Sequence, residues 1–211
     1  MENKYVNFIS DEHLLNCIEN LHKSYLRAKN NVSKRSFYTN KVDTLKLTFD
    51  AKFNNINEDD LIQSEILRQI DKSINNSIGT FHEQILGGIK GFEVGNLSGF
   101  DIKASDDTLF AVFGSVDLSK NISEAIFHKL ANDAQIFKNA KFYFILLDDF
   151  SDLNEKWIIG NEEYKVSQKR VFKISLSQFY TEVTKQEDGY ELLSNAFSIA
   201  LGDYFLIQQP S

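Results

Sequence analysis

The sequence predicts an α/β (α+β) fold, a small mixed central sheet flanked by helices, with a helical N-terminal region. Three observations predict it. Apolar residues recur at helical spacing through much of residues 1–90. The stretch Gly91–Lys120 reads as two strands joined by a loop of small and acidic residues. Behind it, Lys141-Phe-Tyr-Phe-Ile-Leu-Leu147 is a continuous apolar run, the pattern of a central strand covered on both faces.

The elements follow in order. Ser10 can cap a helix whose apolar face carries Leu14, Leu15, Ile18 and Leu21, running to about Lys29 before a break at Asn30-Asn31. Lys41–Ala51 is ambiguous between helix and extended chain. Asn57 caps a long helix, and Glu58 to Asp60 suit its positive N-terminus. Leu61, Ile62, Ile66, Ile70 and Ile74 form its stripe. Asn75, Asn76 and Gly79 are expected to interrupt it, leaving Phe81–Ile89 as a separate helical turn or two. Gly99–Ala104 and Thr108–Val116 are the hairpin strands, with Ser105-Asp106-Asp107 as the turn. Ser123 caps a helix to about Asn139. Trp157–Val166 is a hairpin turning at Gly160-Asn161, and Arg170–Leu176 a further strand. Ser177 caps a short helix, and Gly189 introduces a last one. The expected organisation is a single domain over 1–211, with 1–90 mainly helical, 91–176 the sheet core and 177–211 the C-terminal helices.

Composition bounds the function. Hydrophobic residues make up 42% of 211 residues and there are 18 Phe, ample for a core and unlike a disordered chain. The single Cys17 has no internal disulfide partner and reads as a small buried hydrophobe. No leader and no membrane-length apolar run is visible, so a cytoplasmic location without membrane contact is expected. The net charge of −7 runs mildly against nucleic acid, but its distribution is uneven. Between Glu19 and Asp43 there is no acid, only Lys23, Arg27, Lys29, Lys34, Arg35 and Lys41. That stretch is either a solvated helix end and loop or a phosphate-contacting arm.

The usual site chemistries are mostly absent. The four His are scattered, there is no Cys cluster for zinc, and no nucleophile elbow, P-loop or dinucleotide fingerprint occurs. Asp149 and Asp152 follow the central strand but are ordinary loop acids. Asp101 at the base of the hairpin, with Glu93 and Lys103, is a constellation that could hold a divalent cation if both acids met at one sheet edge.

From Glu65 the sequence takes a more specific form. Glu65-Ile-Leu-Arg68-Gln69-Ile-Asp71-Lys72-Ser73-Ile-Asn75-Asn76-Ser-Ile78-Gly79-Thr-Phe81-His82 is close to the pattern E-x-x-R-Q-x-D-K-S-N-N-N-x-I-G-x-F-H. With Gly99-Phe-Asp101, Lys156-Trp157-Ile and Lys169–Tyr180, it resembles the type II restriction endonucleases of the PD-(D/E)xK superfamily, in particular the group cutting GGNCC or GGWCC sites. The resemblance implies a restriction-endonuclease-like sheet whose central hairpin carries the metal-binding acids. It implies Mg²⁺-dependent hydrolysis of double-stranded DNA by a homodimer in a restriction-modification system. Asp101 falls on the first metal-binding position. By the same likeness Glu65 joins the catalytic candidates and Arg68, Lys72, Asn75 and Asn76 the DNA-binding ones; Lys34 and Arg35, from the acid-free basic stretch, complete the DNA-binding set.

The second strand departs from the family pattern. Where a Glu and a Lys belong in V-E-M-K, this chain has Val112 and Gly114. Neither binds a cation or moves a proton, and their loss from a charge-stabilised phosphoryl transfer costs roughly a thousandfold in rate. Three readings follow. The first is a DNA-binding, restriction-endonuclease-like protein weak or inactive as a nuclease. The second is an active enzyme with a displaced site of Asp101, Lys103 and Asp117, needing Mg²⁺. The third is an interaction protein without DNA binding.

Overall fold

The computed structural model describes residues 3–31, 44–95, 98–160 and 164–208; Lys34 and Arg35 lie outside the described residues. The contacts divide the chain into two compact units, Met1–Cys17 with His82–Ser211, and Ile18–Phe81. The elements are six helices and six strands among the described residues, an α/β fold with a mixed sheet.

Helix α1 (Asp11–Asn31) starts where Ser10 places it: the Ser10 hydroxyl accepts from the His13 backbone N–H at 3.2 Å. The ambiguous segment is helix α2 (Thr44–Asn54). Asn57 caps α3 (Glu58–Gly87) reciprocally with Asp60, its side-chain oxygen accepting the Asp60 N–H at 2.9 Å and its amide donating to the Asp60 carboxylate at 2.7 Å. Helix α3 then runs 30 residues without the expected interruption. Asn and Gly in a helix interior each cost about 1 kcal/mol or less. Burial of Phe81, Ile85 and Leu86 along the same helix outweighs that.

The sheet has strand order β1-β2-β3-β4-β6-β5. Strand β1 (Phe92–Val94), which the sequence pattern did not reveal, pairs antiparallel with β2 (Ile102–Ala104), and β2 pairs antiparallel with β3 (Leu109–Gly114). The turn between β2 and β3 is built by Asp106, which accepts from the N–H and hydroxyl of Thr108, and by Asp107 at φ 57°. Helix α4 (Lys120–Ile136) carries the chain over to β4 (Lys141–Leu146), parallel to β3. It begins after Ser119 rather than at Ser123, so Ser123 sits in its first turn. Strands β5 (Asn154–Gly160) and β6 (Lys165–Ser175) form an antiparallel pair, and β6 also pairs parallel with β4. The second arm of the expected hairpin and the expected further strand are thus one continuous strand. Gly160 takes φ +113°, and a Cβ there would lie 1.9 Å from the Tyr164 carbonyl, so this position needs glycine; Asn161 lies outside the described residues. Helix α5 (Leu176–Thr184) follows β6 directly, so its cap is Ser175, accepting the Gln178 N–H, and not Ser177, whose hydroxyl donates to the Ser151 carbonyl. Helix α6 (Gly189–Gln208) ends the described chain.

Strand β4 is covered on both faces, as its apolar run requires. Toward α4, Phe142, Phe144 and Leu146 join Phe110 and Val112 of β3, Trp157 of β5 and Phe127, Leu130 and Ala134 of α4 in one buried cluster. Toward α5, Tyr143 stacks on Phe172 and meets Phe179 edge-on, and its hydroxyl donates to Glu182 at 3.1 Å. Cys17 is buried, and desolvation pushes its thiol up to about 11, as expected of an inert hydrophobe. No described helix is long and apolar enough to cross a membrane.

Candidate functional site

Asp101 stands at the entrance to β2. Its backbone N–H bonds to the Ala111 carbonyl at 3.0 Å, and its carboxylate accepts the Phe113 N–H at 2.7 Å. The acid is therefore fixed against the far end of β3, where the hairpin positions it. Its electrostatic neighbour is Glu83, in the last turns of α3. Burial, and then the charge of Asp101, hold the Glu83 carboxyl above its ordinary range. Glu83 did not stand out in the sequence. It lies 18 positions before Asp101, on a helix, and only the folded chain brings the two charges close enough to interact.

On β3, Val112 and Gly114 flank Phe113, whose N–H the Asp101 carboxylate accepts. Val112 is 9% exposed and belongs to the aromatic cluster under α4. Gly114 lies where a Cβ would fall 2.2 Å from two ring carbons of Phe144 and 3.1 Å from a Leu118 methyl. The loop that follows is held by Asp148, which accepts from the Ser115 hydroxyl at 2.5 Å and the Val116 N–H at 2.9 Å.

The other candidates lie in different surroundings. Lys103 pairs with Asp107 at 3.0 Å and Glu93 at 3.7 Å, across the β1–β2–β3 hairpins; these partners raise its pKa, the Asp107 bond first. Asp117 is exposed, its backbone N–H bonded to the Ser115 hydroxyl. Neither set of contacts includes Asp101. Glu65 is 8% exposed and clasped by Arg68 through two bonds of 2.7 and 2.5 Å, with Gln69 at 3.2 Å. The Arg68 bond is the main reason its carboxyl is held below the usual range. Arg68, Lys72, Asn75 and Asn76 have exposed side chains along α3, with Asn75 donating to Asp71 at 3.3 Å. Spacings of four and three residues place Arg68, Lys72 and Asn75 on one helical face.

The resemblance read from Glu65 onward has its counterpart in whole-chain comparison. The model of the Eco47II restriction endonuclease family matches residues 6–206. The chain belongs to that family. The type II restriction enzyme Sau96I of Staphylococcus aureus is 35% identical over 217 aligned positions, covering 97% of this chain and 82% of that one. The type II restriction enzyme Eco47II of Escherichia coli is 35% identical over 85 positions, covering 40% of this chain and 35% of that one. The mixed sheet and flanking helices are those expected of the family, and the chain is a restriction endonuclease of restriction-modification type by descent.

Type II restriction enzymes generally use Mg²⁺. The residues present do not make a good match to such a centre. Asp101 already spends one oxygen on Phe113, Glu83 is pushed toward its neutral form, and β3 adds neither an acid nor a lysine. Among the described residues no group of three or more His, Cys, Asp or Glu is placed to hold a metal ion.

Proposed function

We propose that this family member is a DNA-binding protein of a restriction-modification system that is weak or inactive as a nuclease. The observation that carries the reading is the β3 face beside Asp101, where Val112 is buried among aromatic rings and Gly114 is closed by Phe144. Phosphodiester hydrolysis needs developing charge to be met by cations or donors held in place. This face supplies hydrocarbon. The exposed polar face of α3, with Arg68, Lys72 and Asn75, retains groups that bond phosphates and base edges. The relatives are named as type II restriction enzymes, which supports double-stranded DNA as the ligand. A two-fold symmetric site is met most simply by a homodimer.

The test is incubation of the purified chain with Mg²⁺ or Mn²⁺ and DNA bearing GGNCC sites, followed by gel-shift titration across salt. The expected result is no discrete fragments and an affinity that falls steeply with salt. Discrete fragments would overturn the proposal in favour of a displaced centre at Asp101, Lys103 and Asp117. No shift at low salt would leave the protein as an interaction partner without DNA binding.

A further inference from the structure

We infer that Phe144 is the residue that shuts the β3 face to a catalytic side chain, and that Gly114 and Phe144 form a coupled pair: the glycine is there because the ring is. The inference rests on the reading that position 114 is the family's lysine position, and it adds the reason a substitution at 114 alone cannot restore it.

The register supplies the first link. In the parallel β3–β4 pair, Val112 lies opposite Phe144 and Gly114 opposite Leu146, so the side chains of Val112, Phe144 and Leu146 share the face toward α4 to which a Cβ at 114 would also point. The Phe144 ring leans across to position 114, where two of its carbons take the volume a Cβ would need. The second link is that the ring has nowhere to go. Phe144 is 1% exposed and stacks on Trp157, centroids 4.6 Å apart and planes 13° from parallel. Trp157 is itself held edge-on by Phe127 at 5.5 Å, and Leu118 closes the other side of position 114. Any side chain at 114 must displace a buried stack, and close-packed interiors resist that. The two departures from the family pattern, Val112 and Gly114, are therefore parts of one packing arrangement in which an aromatic layer occupies the space that an acid and a lysine would need.

A double-mutant cycle tests the coupling. G114A should lower Tm by roughly 5–10 °C through overpacking. In the F144L background, where the ring is gone, the same change should cost clearly less. Equal costs in the two backgrounds would overturn the inference, as would a G114A chain as stable as the unmodified one. A second arm restores the acid and lysine as V112E/G114K, with and without F144A, and reads Tm and Mn²⁺ binding. The expected result is a Tm loss that F144A recovers in part, with Mn²⁺ held roughly tenfold more tightly than by F144A alone. Full stability and Mn²⁺ binding with Phe144 in place would sink the idea. Failure here is distinguishable from failure of the proposed function: cleavage by the unmodified chain overturns that reading and leaves the packing cycle unchanged.

Discussion

Strand β3 and helix α3 carry opposite kinds of surface. On α3, most polar side chains of the stretch from Glu65 to His82 are exposed. On β3, Val112 and Gly114 face a packed aromatic core. The difference is instructive because the two surfaces answer to different physics. An exposed polar face costs little to keep, since water solvates whatever stands there. A charged pair on a buried face is expensive to desolvate, and apolar side chains that fill the same space are often more stable. On the proposed reading, that contrast between a solvated polar helix face and an apolar strand face is what a chain that binds without cutting shows.

Four measurements would break or sharpen that contrast. The largest effect is expected on the core side. Trp157→Ala removes the ring stacked on Phe144 and should destabilise by about 3–5 kcal/mol in denaturant unfolding. A loss below about 1 kcal/mol would mean the aromatic layer is not what holds this face.

The next concerns the end of the preserved stretch. His82 is 8% exposed, bonded through Nδ1 to the Tyr180 hydroxyl at 3.0 Å, and desolvation lowers its pKa to about 4. The folded state thus resists a proton that the unfolded chain takes up from about pH 6.5. The stability linked to this group is fully present above pH 6.5 and lost as pH falls toward 4, with a ceiling of about 3 kcal/mol. His82→Gln should therefore weaken the fall in stability over that window relative to the unmodified chain. Parallel pH profiles would show that His82 does not stay neutral in the fold, and that this end of the pattern is not kept for packing.

Glu65→Ala should cost about 1–2 kcal/mol, since a buried carboxylate accepting three side-chain bonds is lost from α3. Glu65→Gln, which keeps part of the bonding, should cost less. A chain equally stable in all three forms would remove the structural explanation for Glu65 and return it to the catalytic candidates. The smallest effect on stability belongs to Lys72→Ala, which should leave Tm unchanged while weakening DNA binding and reducing the salt slope by about 1. An unchanged slope would take Lys72 off the DNA-binding face.

Much of the fold could be read along the chain because its signals are local. The α1 stripe, the Asn57 cap and the apolar run of β4 each carry their own period or composition. The misreadings were non-local. Helix α3 continues through Asn75, Asn76 and Gly79 because tertiary burial of its last turns outweighs weak propensity. Strand β1 is three residues long, too short to show a period. At the site, the placement of Asp101, Val112 and Gly114 on one hairpin was legible in the sequence. The roles of Glu83 and Phe144 were not, since one depends on a helix meeting a hairpin and the other on the register between two parallel strands. The cap of α5 shows the same limit on a smaller scale: Ser175 and Ser177 are equivalent as letters, and only the point where β6 stops decides between them.

The strand order also has a consequence for solubility. A sheet ends in two rows of unpaired backbone groups, and these invite other chains to add on. Here one edge, β1, offers only three residues, and the other, β5, begins Asn-Glu-Lys and has its register broken between Lys156 and Ile158. Both edges are thus poor templates for a further strand.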